Sequence, residues 1–221
     1  FGRSWFAGGN PVSKEIPVKL ELGAGSGEWV AEQAKSDAGS ANWAALELMR
    51  DRAHSIFTRA AMEGLENLCV LSGDASYVLP RHISDASIAH IFVNFPEPPF
   101  ISGSESSESK LHMLSDEAFH EIHRVLRPGG RLTLLSDNGR YCRTLASTVA
   151  GLKKGKKQCF QSVSPASLRP TSEGCSTDDH VDFEDVDGVH LYYGWPGPES
   201  GHAVKSSSYF DSLWQKGSRN E

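Results

Sequence analysis

The chain has 221 residues, a formal net charge of −6 at pH 7, 38% hydrophobic and 23% charged residues, an ordinary globular composition with length enough for one substantial core. No apolar run approaches the roughly 18 residues of a membrane span, and Cys69, Cys142, Cys159 and Cys175 form no C-x-x-C pair, which argues against a zinc site or disulfide framework and for a reducing compartment. The acidity is local: residues 173 to 187 hold seven acids and no Lys or Arg, the rest of the chain sums to +1, and the total neither demands nor excludes a nucleic-acid partner.

The predicted elements alternate along the chain. Residues 1 to 16 read as an irregular lead-in. Pro17 to Leu22 is a strand that breaks into Gly23, Gly25 and Gly27 before helical spacing starts at Trp29, Val30, Gln33 and Ala34. Asn42 to Leu48 is a second strand, Arg50 to Glu63 a helix ended by Gly64, and Asn67 to Ser72 a third strand followed by Gly73-Asp74-Ala75 and a short helix. Ile88 to Phe95 is a fourth strand running into Pro96-Glu97-Pro98-Pro99. Asp116 to Leu126 is an amphipathic helix closed by Arg127-Pro-Gly-Gly130, Arg131 to Ser136 a fifth strand, and Asn138 to Leu152 a helix. Residues 102–109 and 165–188 read as mobile loops, with strands at Cys159 to Ser164 and Val189 to Tyr193 and a short helix at Ser207 to Trp214. Five strand–helix alternations with no repeat predict a single α/β domain over 1–221, a mostly parallel sheet with helices on both faces.

In such a sheet ligands bind beyond the carboxyl ends of the strands. There this chain places Gly23, Gly25 and Gly27, where the backbone can turn and lie against a nucleotide-like cofactor; Glu47, spaced to accept both hydroxyls of a ribose; Gly73-Asp74; Asn94 to Pro99; and Ser136-Asp137. Each has a plainer reading. A glycine-rich turn is often only a turn, Glu47 is a strand-end acid, and Asp137 can cap the helix after it. His120 and His123 stand three apart on a helix, a spacing that can hold a metal, but lie on its polar face, so no metal site is expected. Lys153, Lys154, Lys156 and Lys157 suit either RNA phosphate or a helix C-terminus.

Six stretches carry a resemblance over about Asn10 to Gly217: Leu20-Glu-Leu-Gly-Ala-Gly-Ser-Gly-Glu28, Ala45-Leu-Glu-Leu48, residues 64 to 75, Ile91-Phe-Val-Asn-Phe-Pro-Glu-Pro98, residues 124 to 130, and Ser136-Asp-Asn-Gly-Arg-Tyr141. The chain resembles the class I S-adenosylmethionine-dependent methyltransferases and, more narrowly, the tRNA (guanine-N7-)-methyltransferase family. The resemblance implies a Rossmann-like, mostly parallel seven-stranded sheet and S-adenosyl-L-methionine as cofactor, with S-adenosyl-L-homocysteine as product. By position it puts Glu21, Gly23, Gly25, Gly27, Glu47, Asp74, Ala75 and Asn94 around that cofactor. It makes Glu97 and Asp137 the catalytic acids facing a guanine, and Asp137, Ser207, Tyr209 and Lys110 substrate-binding residues. The implied partner is tRNA.

Departures from the family pattern are specific. Glu97 replaces an aspartate, Pro99 and Phe100 follow it, and the usual basic run becomes a Ser/Glu-rich stretch that offers no cation before Lys110. Losing cations that face phosphate costs affinity in a salt-dependent way, which leaves room for a second protein subunit to supply them. Near the C-terminus Phe210 stands where the family has an acid. Three readings are compatible with this: an N7-guanine tRNA methyltransferase; an amine methyltransferase acting on adenine or cytosine through Glu97-Pro-Pro-Phe100; and a non-catalytic cofactor-binding partner subunit. No membrane association is expected. The expected location is intracellular, in cytoplasm or nucleus, with an organelle left open because the chain begins on Phe1 and not on Met.

Overall fold

A computed structural model describes residues 16–99, 112–154, 157–163, 182–194 and 196–202. Five strands, β1 (Val18–Leu22), β2 (Asn42–Glu47), β3 (Leu68–Ser72), β4 (Ile88–Asn94) and β5 (Leu126–Leu135), form one sheet in the order β3-β2-β1-β4-β5. All four pairings are parallel. The helices are α1 (Glu28–Ser36), α2 (Arg50–Glu63), α3 (Ala75–His82), α4 (Asp116–Val125) and α5 (Gly139–Gly151).

The strand order explains which face each helix covers. From β1 the chain steps outward through β2 to β3, then crosses back to β4 and continues to β5. Right-handed crossovers in opposite directions put their helices on opposite faces. Alternation along the strands then sorts the core into two layers. Leu20, Leu22, Ala44, Leu46, Ile91 and Val93 pack with α3, α4 and α5 through Leu79, Phe119, Ile122 and Tyr141. Trp43, Ala45 and Phe92 pack with α1 and α2 through Trp29, Val30, Ile56 and Ala60. By the same alternation Glu21, Glu47 and Asn94 belong to the α1/α2 face. The order reverses between β1 and β4, so the ends of these two strands form the crevice where this fold class takes ligands.

Local residue choice sets the helix ends. Asp74 caps α3 by accepting from the Ser76 N–H at 2.7 Å, Ser115 caps α4 through Ala118, and Asn138 caps α5 through the Tyr141 N–H at 3.0 Å. Arg124 clamps α4 to the C-terminal end of α3, donating to the carbonyls of Leu79 at 2.8 Å and Ile83 at 3.1 Å and pairing with Asp85 and Glu121.

Several expectations are corrected. Among the described residues the sheet has five strands, not seven. Residues 159–163 form no strand; Lys157–Gln158 (β7) pairs instead with Lys153–Lys154 (β6). β5 starts at Leu126: Ile88 pairs with Leu126 and His90 with Arg131, so residues 127–130 loop out as an irregularity within the strand and do not merely end the helix. The end of the segment expected to be a mobile loop, 182–188, is structured. Phe183–Val186 (β8) and Val189–Tyr192 (β9) form a hairpin whose two turn residues, Asp187 and Gly188, both have positive φ, as a tight hairpin turn requires. Glu184 accepts from Arg143 at 2.9 Å and Asp187 from Ser147 at 2.9 Å, so part of the acidic segment is spent docking this hairpin on α5. The predicted 207–214 helix, residues 102–109 and residues 165–181 lie outside the described residues. No helix among those described is long and apolar enough to cross a membrane.

Candidate functional site

The loop after β1 is held mainly by its own chain. The N–H groups of Gly23 and Ala24 donate to the Leu46 carbonyl at 2.8 and 3.2 Å, and that of Gly27 to Ala24 at 3.0 Å. Glu47, 5% exposed, fixes the middle of the loop: one carboxylate oxygen accepts from Gly25 N–H at 2.8 Å and the other from Met49 N–H at 2.9 Å. Gly25 and Gly27 have different reasons to be glycine. A Cβ on Gly25 would meet nothing within 4 Å, so the backbone there borders open space, whereas one on Gly27 would stand 2.7 Å from Ile56 Cγ1. Gly27 therefore lets α1 approach α2. Four of the loop's amides are already engaged within the chain, so the loop is not a phosphate cradle of the kind in which backbone N–H groups face an anion. The surrounding charge agrees, since Glu28 and Glu47 would repel a pyrophosphate.

Glu21 is 3% exposed. Its Oε1 accepts from Asn94 Nδ2 at 2.8 Å, while Oε2 is buried without a hydrogen-bond partner. Burial, opposed by the Asn94 hydrogen bond and reinforced by Glu47 and Glu28, pushes its carboxyl up to about 8. A buried carboxyl with one empty oxygen at the switch point of the sheet is suited to a ligand that brings a cation or a donor. The amino group of an adenosyl-amino acid is such a group. Among the cofactor residues expected from sequence, Glu21, the glycine loop, Glu47 and Asn94 are thus brought to one crevice, with Asn94 acting on Glu21. Asp74 is the α3 cap, exposed at the next strand end, where Gly73 N–H holds the Glu47 carbonyl at 3.0 Å.

The lip after β4 begins with strain. Phe95 has φ +50, costly for a bulky side chain, and its N–H is held by the Leu135 carbonyl at 2.7 Å. That bond ties the Pro96-Glu97 turn to the end of β5, where Ser136 and Asp137 follow. Glu97 and Asp137 are both exposed. Because Asn138 caps α5, the Asp137 carboxylate is not used as the cap. Behind the lip, His112 Nδ1 accepts from Leu114 N–H at 3.2 Å, so its proton sits on Nε2, which lies 2.8 Å from both the Glu97 carbonyl and Tyr141 Oη. Tyr141 is 2% exposed and its phenol is pushed well up by burial; it fills the helix–sheet layer and braces the lip. His112 carried no local signal in the sequence, being isolated before a helix cap.

Other expected residues are placed elsewhere. Lys110, Ser207 and Tyr209 lie outside the described residues. His120 and His123 diverge, His120 Nδ1 standing 4.0 Å from Cys159 Sγ and His123 against Phe160, and among the described residues no three His, Cys, Asp or Glu side chains converge as metal ligands. A cleft of about 1020 Å³ opens on the β5 side between α5 and β9. Its lining includes Pro96 and Ser136 but none of Glu21, Glu47, Asp74, Glu97 or Asp137, so it is separate from the crevice described above.

Comparison with known proteins gives a consistent picture. A family model described as "Putative methyltransferase" matches residues 15–173. A tRNA (guanine-N(7)-)-methyltransferase of Chlamydia muridarum is 36% identical over 132 residues, covering 60% of this chain and 57% of that protein. The same-named proteins of Chlamydia trachomatis and Rubrobacter xylanophilus are 36% and 26% identical, covering 57% and 60% of this chain and 54% and 57% of theirs. The chain thus spans a little over half the length of these relatives. Among solved structures, an S-adenosylmethionine-dependent methyltransferase from Aquifex aeolicus is 18% identical and covers 55% of this chain and 56% of its own with a TM-score of 0.43; the fold assignment rests on the strand order itself.

Proposed function

The chain belongs to the putative methyltransferase family whose model it matches, and from that premise we propose that it transfers a methyl group from S-adenosyl-L-methionine to N7 of a guanine in tRNA. The observation that carries the reading is the pair of buried carboxyls at the switch point. Glu47 pins the glycine loop and Glu21 keeps one oxygen empty, an arrangement suited to a cationic adenosyl ligand and unsuited to a dinucleotide. When bound, the cofactor supplies a methyl group made electrophilic by its sulfonium.

What the chain's own residues do follows from the chemistry of the acceptor. Guanine N7 has a lone pair and loses no proton on methylation, so no strong base is required. The protein has to align the base with the methyl, exclude water and offset the positive charge the base acquires. Glu97 and Asp137, carried on adjacent strand ends and tied together through Phe95 and Leu135, are the acids that would grip the N1–H and N2–H edge. Their exposure suits groups whose partner arrives only with the substrate. We further propose tRNA as the partner and, because the stretch before Lys110 lacks cations, a second subunit that supplies phosphate contacts.

The test is incubation with labelled S-adenosylmethionine and bulk tRNA, followed by cleavage selective for 7-methylguanosine. Label released at that cleavage is the expected result. Label in N6-methyladenine, or cofactor binding with no transfer to RNA even with the partner subunit present, would overturn the reading.

A further inference from the structure

Residues 197–202 lie across the α1/α2 face of β4 and β5 and are fastened there twice. Thr133 Oγ1 on β5 donates to the Ser200 carbonyl at 3.0 Å and is itself 2.8 Å from His90 Nε2. His90 is stacked on Phe92 at 3.9 Å and is kept neutral by burial, its imidazole lowered to about 3. The Thr133 hydroxyl gives its proton to the carbonyl, so His90 donates to it. Gly201 has φ +91, and a Cβ on it would fall 2.6 Å from His90 Cε1 and 2.8 Å from Phe92 Cζ. Only a glycine lets the strap come this close. The result is a fixed seat for His202, 5% exposed, with its ring 5.1 Å from Trp29 and 5.5 Å from Phe92.

From that seat a hydrogen-bonded row runs to the crevice. Ser200 Oγ is 2.9 Å from His202 Nδ1, His202 Nε2 is 3.2 Å from Asn94 Oδ1, and Asn94 Nδ2 donates to Glu21 Oε1 at 2.8 Å. An amide oxygen can only accept, so the His202 nitrogen facing it carries a proton. The Glu21 carboxylate on one side and the His202 N–H on the other together fix which way the Asn94 amide points. Turned over, the amide would present its oxygen to the Glu21 carboxylate and lose the donor that holds it. The row spans 108 residues of sequence between Asn94 and His202, and it ends on the carboxyl whose second oxygen is buried and without a partner.

We propose that His202 is a positioning residue for the cofactor: through Asn94 it sets the orientation of the Glu21 carboxylate, leaving Oε2 to receive the ammonium of an adenosyl-amino acid. The inference rests on the cofactor reading above and adds to it a segment distant from the glycine loop. Binding of the amino-acid half of the ligand and seating of residues 197–202 are then coupled, each favouring the other.

The experiment is calorimetric binding at pH 8.5 of two probes, S-adenosylhomocysteine and 5′-methylthioadenosine, which keeps the nucleoside and lacks the ammonium. His202→Phe keeps an aromatic ring against Trp29 and Phe92 and removes the donor. It is expected to weaken S-adenosylhomocysteine about tenfold and leave methylthioadenosine within about twofold. His202→Gln, whose amide N–H reaches toward the lost donor position, is expected to recover most of the loss. A Phe variant that weakens both probes alike, or neither, overturns the proposal, and because the ratio is taken within one variant a lowered melting temperature does not obscure it. If the unaltered protein binds neither probe, the cofactor reading itself fails, which is a distinct outcome.

Discussion

On the β1–β2 side of the rim the acids are interior groups: Glu21 and Glu47 are 3% and 5% exposed, and three of their four carboxylate oxygens are held by Gly25, Met49 and Asn94. On the β4–β5 side, Glu97 and Asp137 are exposed, and what is held is the backbone beneath them, through Phe95 N–H to Leu135 and the Glu97 carbonyl to His112. The difference separates two tasks. A small ligand of constant shape is met by carboxyls fixed in advance, Glu47 satisfied by two backbone amides and Glu21 keeping one buried oxygen without a partner. A base arriving on a large polymer is met by acids that wait in water on a braced turn.

The contrast can be broken most directly on the exposed side. Glu97→Gln and Asp137→Asn are each expected to lower turnover about a hundredfold or more, with S-adenosylhomocysteine affinity within a few fold and an unchanged melting temperature; wild-type turnover in both would withdraw these acids from the substrate. On the buried side, Glu47→Ala strands the Gly25 and Met49 N–H groups. It should weaken S-adenosylhomocysteine by at least tenfold and also destabilise the fold by about 2 kcal/mol, measured by urea unfolding, so that here stability and binding fall together.

The pH dependence sharpens the distinction. Glu21 titrates near 8 in the ligand-free protein, so a cationic ligand that requires its carboxylate must displace a proton below that pH. Affinity for S-adenosylhomocysteine should rise about tenfold per unit up to pH 8 and then level. Proton release, read by calorimetry in buffers of different ionisation enthalpy, should fall from near one well below pH 8 through about one half at pH 8 toward zero above it, and Glu21→Gln should remove both effects. The same raised value makes the ligand-free fold lose stability as pH climbs from about 4.5 to 8, because there the folded form holds a proton that the unfolded form has released. The smallest effect concerns the turn after β5. Asn138→Ala should cost about 1 kcal/mol of stability as a lost cap, whereas Asp137→Ala should cost almost none.

Much of this was legible because it is local. The strand, the glycine loop and the helix after it announce themselves through spacing, and Glu47 and Asn94-Phe-Pro-Glu97 fall at strand ends that any parallel sheet brings to one edge. The roles were harder to read. Spacing points Glu47 at ribose hydroxyls; that its oxygens also hold two backbone amides depends on how tightly the loop turns, and each oxygen keeps a further lone pair. Asp137 and Asn138 are both capping residues by type, and only the helix phase picks Asn138. The Asp187-Gly188 turn was a usable hairpin signal, outweighed by the acidity around it. His202 had no signal at all: nothing in a Pro/Gly-rich stretch says that a histidine will face an asparagine from another strand. The expectation of seven strands came from resemblance and not from periodicity, and the described residues supply five.

Gly27 has a bearing beyond its own loop. Ile56 of α2 sits where its side chain would be, so the spacing between two neighbouring helices is set by a missing methyl group. A residue that a motif search would credit to ligand contact serves instead as a shim. Enlarging it would wedge α2 away from α1, and because α2 starts three residues after Glu47, the first casualty would be the grip on Gly25 and, with it, the floor of the crevice.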